Sequence, residues 1–163
     1  MRIYLSGAIE HAPDHGRHWR AALTPFLRSQ GHEVYDPAAD AKKNLSAEEV
    51  EHFREWKRTD VKRFQVTVRK IIAYDLDIIE RRTDAIICYW DEYCGRGAGT
   101  QGELTVAHRL RLPVYLVTAM PVEQISGWIL GCSSEIFPSM EELQAYFSQT
   151  RLAHKTIEEV VSE

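Results

Sequence analysis

The stretch Asp84-Ala-Ile-Ile-Cys-Tyr-Trp-Asp-Glu-Tyr-Cys-Gly-Arg-Gly-Ala-Gly-Thr-Gln-Gly-Glu103 sets the fold class. From Ala85 to Trp90 it is a continuous apolar run, the pattern of a strand covered on both faces. Glycines then break the chain, and helical periodicity takes over across 101–110. Pro113-Val-Tyr-Leu-Val-Thr118 repeats the buried-strand pattern. Strand, loop, helix and strand in that order predict a parallel pair joined by a helix.

The same alternation continues upstream. Ile3-Tyr4-Leu5 is an apolar run that stops at Ser6-Gly7. Trp19, Ala22, Leu23, Phe26 and Leu27 share one helical face, and Pro25 inside it predicts a kink or irregular turn. Gly31 closes that helix, and His32 to Tyr35 form a short strand ended by Asp36-Pro37. Residues 38–45 read as a loop. Ser46 and Glu49 form a capping-box pattern that opens a helical region reaching about Arg82. That is long for one helix, so a break is predicted near Thr59-Asp60. Short helices near 121–130 and 138–148 flank a strand at 134–137.

The prediction is a single α/β domain over 1–148, a flavodoxin- or Rossmann-like three-layer sandwich with a parallel sheet of about five strands. Residues 149–163 form a C-terminal tail or docking helix. Such sheets bind ligands beyond the carboxyl ends of their strands. The loops after Leu5, Tyr35, Trp90 and Thr118 therefore share one rim.

Composition narrows the classes. One domain fits 163 residues, of which 44% are hydrophobic. A net charge of -4 gives no footprint for a polymeric nucleic acid. Three cysteines without a C-x-x-C pair, and no apolar run fit for a signal peptide or a membrane span, predict a reduced, cytoplasmic protein. His11, His15 and His18 flank the first rim loop without a metal spacing toward nearby acids, so no metal and no cofactor is predicted.

Gly97-Ala98-Gly99-Thr100-Gln101-Gly102 matches the G-x-G-x-x-G of a dinucleotide site. The context does not fit. Asp91 to Arg96 separate the match from its strand, and no ribose-binding acid ends the next strand at Thr118-Ala119. The glycines instead allow close approach of a ligand to the backbone ahead of Glu103. A Glu in a first helical turn is favoured as the ionised form, which suits attack on an electron-poor sugar carbon. Asp75 and Asp77, near the end of the preceding helix, offer a second carboxyl for proton transfer, as glycosidic cleavage requires. Arg17, Arg20 and Arg96 are rim candidates for a phosphate.

Together these segments resemble the nucleoside 2-deoxyribosyltransferase family. The resemblance runs through Ile3-Tyr4-Leu5-Ser6-Gly7-Ala8-Ile9, Gly31-His-Glu-Val34-Tyr-Asp-Pro37, Asp75-Leu-Asp-Ile-Ile with Asp84-Ala-Ile-Ile, and Gly99-Thr100-Gln-Gly-Glu103 through Leu112-Pro113-Val114. It implies cleavage of the N-glycosidic bond of a nucleoside or nucleoside 5′-monophosphate, with Glu103 as nucleophile at C1′. Asp75 or Asp77 would serve the departing base and Tyr4 would orient Glu103. Gly7, Ala8, Ile9, Asp36, Gly97, Gly99 and Thr100 would contact substrate beside Arg17 and Arg96. A neighbouring subunit of a homo-oligomer would complete the cleft, with Gln124 and Ser126 acting in trans.

Two departures stand out. Gly97 occupies a position where the family often has a sugar-contacting Asp. The interval from helix acid to strand Asp is nine residues from Asp75 or seven from Asp77, where eight is usual. The glycine motif is also similar to that of nucleoside-monophosphate phosphoribohydrolases, which break the same bond. A non-catalytic nucleotide-binding or sensing module on this fold is the alternative that Gly97 supports.

Overall fold

The first strand shows how the sandwich is built. In β1 (Arg2–Gly7), Ile3 and Leu5 pack into one apolar cluster while Tyr4 belongs to the other. Successive side chains of a strand point to opposite faces, so a strand apolar at every position needs helices on both sides. The computed structural model, which describes residues 1–40 and 42–149, supplies them. In chain order β1 is followed by α1 (Arg17–Ser29), β2 (Glu33–Tyr35), α2 (Ala47–Thr59) and α3 (Val61–Arg82). Then come β3 (Ala85–Tyr89), α4 (Gly99–Leu110), β4 (Val114–Val117), α5 (Gly127–Cys132) and β5 (Glu135–Phe137), and residues 140–149 are helical.

The five strands are all parallel, in the order β2-β1-β3-β4-β5. This is the flavodoxin-like order, and its switch point lies between β1 and β3. Leu23 and Leu27 of α1, with Leu143 and Phe147, close one face over Ile3, Leu5 and Ile87. Ile78 and Ile79 of α3, Leu104 and Ala107 of α4 and Ile129 of α5 close the other over Tyr4, Ile86, Cys88 and Leu116. The predicted α/β three-layer sandwich is the fold found.

The predicted helix break falls at Asp60, which ends α2 and whose side chain accepts from the Arg63 N–H to start α3. The capping box of Ser46 and Glu49 is formed in both directions. Pro25, by contrast, does not interrupt α1. Pro25 and Ala21, whose carbonyl loses its helical partner to the ring, both lie on the exposed face, where that carbonyl is open to solvent. α4 starts at Gly99, two residues ahead of the predicted 101. No helix among the described residues is long and apolar enough to cross a membrane. From residue 150 on, the predicted tail lies outside the described residues.

Candidate active site

The strand period that sends Tyr4 to the α4 side sends Ser6 there too. Helix α4 presents Thr100, Leu104 and Ala107 to the sheet, a stripe at helical spacing that also carries Glu103. The two elements therefore meet through polar groups. The Tyr4 hydroxyl donates to Glu103 Oε1 at 2.8 Å and the Ser6 hydroxyl to Oε2 at 2.5 Å. Both oxygens of the carboxylate are held, and both donors are fully buried.

Burial pushes the Glu103 carboxyl above the ordinary carboxylate range, the Ser6 and Tyr4 hydroxyls oppose that rise, and the charge of Asp75 adds to it. This corrects the expectation of a first-turn glutamate ionised by the helix dipole. With α4 starting at Gly99, Glu103 lies beyond the first turn, which contains no acid. Its fixed position and its charge state are set by hydroxyls and burial.

The second carboxyl comes from α3, whose buried stripe runs through Asp75, Ile78 and Ile79. Asp77 sits off that stripe and pairs with Arg81 at 2.7 Å along the same helix. Asp75 is 8% exposed and is met by Lys43, itself 8% exposed, with Nζ 2.7 Å from Asp75 Oδ2. Asp75 Oδ1 is buried without a hydrogen-bond partner. Burial raises the Asp75 carboxyl above its ordinary range, and Lys43 pulls in the opposite direction.

Lys43 arrives on the loop after β2, whose shape comes from its aspartates. Asp36 Oδ1 accepts from the Ala38 and Ala39 N–H groups, and Asp40 Oδ1 from the Lys43 N–H. Lys43 and Asn44 then take left-handed backbone angles, φ 34° and 59°. Asp40 Oδ2 accepts from the Tyr35 hydroxyl at 3.1 Å, and the Tyr35 ring packs on Tyr4 with centroids 5.4 Å apart. Glu103 and Asp75 are thus the two ends of one packed chain: Tyr4, Tyr35, Asp40 and Lys43 lie between them.

The remaining predicted residues divide by what their side chains already do. Gly7 ends β1 with φ 156°, and a Cβ there would sit 2.9 Å from the Tyr89 carbonyl oxygen, so only glycine fits where β1 ends beside Tyr89 of β3. Ala8 and Ile9 follow it, half-buried. Arg20 is no rim cation: it is fully buried and donates to the carbonyls of Leu5, Gly7 and Gly16. Its Nε lies 3.5 Å from Asp36, so that aspartate serves both the loop turn and Arg20. Arg17 and Arg96 are exposed, the latter over the Tyr93 ring. Gly97 leaves an open position: a Cβ there would first meet His11 at 3.4 Å. Gly99 opens α4 and Thr100 is buried beneath it. Gln124 and Ser126 are exposed, and Ser126 caps α5 by accepting from the Trp128 N–H.

Ser6 and Lys43 are the site residues that sequence reasoning passed over. Ser6 had a signal, since it stands two residues beyond Tyr4 on one strand. Lys43 had none: it lies 32 residues from its partner in a stretch legible only as loop.

The fold and site define a parallel α/β protein with one buried and one half-buried carboxyl beside its topological switch point. No family model matches the chain, and no curated protein matches it. In structure it is similar to a 2-deoxyribosyltransferase from the psychrotolerant bacterium Bacillus psychrosaccharolyticus, described as a biocatalyst for nucleoside synthesis. The TM-score is 0.60 at 19% identity, over 88% of this chain and 90% of that one. At that identity the likeness is one of fold.

Proposed function

We propose that this chain is an enzyme that cleaves the N-glycosidic bond of a (deoxy)nucleoside or nucleoside 5′-monophosphate and passes the sugar to another base or to water. One observation carries the reading: both oxygens of Glu103 are fixed by hydroxyls of β1, within electrostatic reach of the second carboxyl, Asp75. The ionised Glu103 attacks C1′ as the C1′–N bond breaks, forming a glycosyl ester. Asp75 gives its proton to the departing base nitrogen. An incoming base or water, deprotonated by the Asp75 carboxylate, then displaces Glu103 and restores both groups. The charge of Asp75 raises Glu103, so the pair favours one shared proton over two charges.

Tyr4 and Ser6 orient the nucleophile, and Gly7, Ala8, Ile9, Gly97, Gly99 and Thr100 form the floor on which the sugar rests. The exposed Gln124 and Ser126 beside Trp128, 66% exposed, support a neighbouring copy of the chain as the remaining wall. Arg17 and Arg96 are free to meet a 5′-phosphate.

The test is incubation with deoxynucleosides, ribonucleosides and their monophosphates, with and without an acceptor base. Free base marks a hydrolase and exchanged base a transferase, and Glu103→Gln abolishes either. Binding without turnover establishes the alternative, a nucleotide-binding module, for which the missing side chain at Gly97 is the specific support.

A further inference from the structure

The mechanism above leaves a buried lysine beside Asp75 unused. Lys43 is a lysine 8% exposed, delivered by a loop rather than by a helix or strand, and aimed at the carboxyl assigned to the departing base. A buried ammonium is costly to hold, and a neutral side chain could tie down the loop at less cost. Among the described residues the Lys43 ammonium donates to Asp75 Oδ2, while Oδ1 of the same carboxyl is buried and unpartnered. The arrangement separates the two oxygens into one anchored to a cation and one left to exchange a proton.

We propose that Lys43 is a positioning residue that sets the acid strength of Asp75: it holds Oδ2, leaves Oδ1 to carry the proton, and stabilises the carboxylate that remains when this proton moves to the leaving base. The inference rests on the reading of Glu103 and Asp75 given above. The balance is simple. The C1′–N bond breaks and the C1′–O bond to Glu103 forms, the proton of Asp75 Oδ1 passes to the base nitrogen, and Lys43 stays protonated throughout. Burial makes Asp75 a weaker acid, and the ammonium pulls against that rise. The other groups that bear on Asp75 are Asp40 and Tyr35 from the β2 loop and strand, Tyr74 beside it on α3, Tyr4 from β1 and Glu103 from α4. All are acids or phenols. Lys43 is the cation among them.

The test compares two kinds of leaving group in Lys43→Met, Lys43→Gln and Lys43→Arg. An ordinary purine nucleoside needs a proton as its base departs. A 7-methylpurine nucleoside carries a cationic base that leaves neutral and needs none. Both neutral variants are expected to lose at least about tenfold in kcat/KM on the ordinary substrate, within the range of general acid catalysis. They are expected to change less than about threefold on the 7-methyl substrate. The high-pH limb of the rate profile moves to higher pH, because an acid without its cation holds its proton longer. Lys43→Arg keeps the charge and recovers most of the discrimination. Equal losses on both substrates with an unmoved limb would make Lys43 a loop latch and overturn the proposal. Should Lys43→Met not fold, the Gln and Arg variants carry the same comparison. If wild-type protein cleaves neither substrate, or Glu103→Gln cleaves both unchanged, the reading of the site fails and the role of Lys43 falls with it. Failure in the Lys43 variants alone leaves that reading standing.

Discussion

Removing the two hydroxyls that hold Glu103 tests the site at its centre. Tyr4→Phe and Ser6→Ala each delete one donor without opening a large cavity. A hydrogen bond to a charged group contributes about 1.5–3 kcal/mol. If that energy is present in the attacking carboxylate, its loss lowers kcat/KM by about 10- to 100-fold per hydroxyl. Both hydroxyls also oppose the rise that burial imposes on Glu103, so each deletion must push that carboxyl further up. The low-pH limb of the rate profile, where Glu103 must lose its proton, therefore shifts to higher pH in each variant and furthest in the double. The assay is kcat/KM against pH for a purine deoxynucleoside, with carbon NMR of labelled glutamate carboxyls reporting the ionisation without turnover. A drop in rate with the limb and the NMR titration both unmoved would refute the assignment. The hydroxyls would then be acting on something other than the charge of Glu103.

Four further outcomes follow from the same geometry. Because Glu103 is raised in the folded state above its ordinary value of 4.5, the folded protein holds the extra proton and loses stability as pH rises through that interval. Glu103→Gln should therefore melt above wild type at pH 7, with the gain shrinking toward pH 4.5 in thermal scans. Arg20→Met strips the carbonyls of Leu5, Gly7 and Gly16 of their donor and leaves Asp36 without its cation, at a cost of about 3 kcal/mol measured by urea denaturation. Asp75→Asn should lower turnover by about 100-fold or more, the contribution of a general acid. Asp77→Asn, which breaks only the pair with Arg81, should leave turnover unchanged.

The sheet was legible because parallel strands under helices are apolar at every position, and that signal is local. The capping box at Ser46 and the break at Asp60 were legible for the same reason, as each depends on residues within one helical turn. Arg20 was misread as a rim cation because a charge in sequence argues for exposure. What it satisfies, the carbonyls at the end of β1 and the start of α1, becomes visible only when those two segments cross. Glu103 could be picked out by its glycine-rich approach, but its environment could not, since that depends on where α4 begins and on which face of β1 it covers.

The two halves of the site differ in what holds them, and this bears on how each can vary. Glu103, Tyr4 and Ser6 stand on a central strand and on the sheet-facing stripe of α4, so moving the nucleophile means repacking the core. Lys43 depends on a loop turned by Asp36 and Asp40, which also serve Arg20 and Tyr35, and finished by the left-handed Lys43 and Asn44, which lie outside the sheet. On the proposed function, a substitution of Lys43 would weaken or strengthen the acid while leaving Glu103 in place. On that reading, bond cleavage by Glu103 would be the rigid property of the fold and the choice of leaving base the adjustable one. Glu103 could be picked out in sequence by its glycine-rich approach and the family resemblance, whereas Lys43 had to be found in three dimensions.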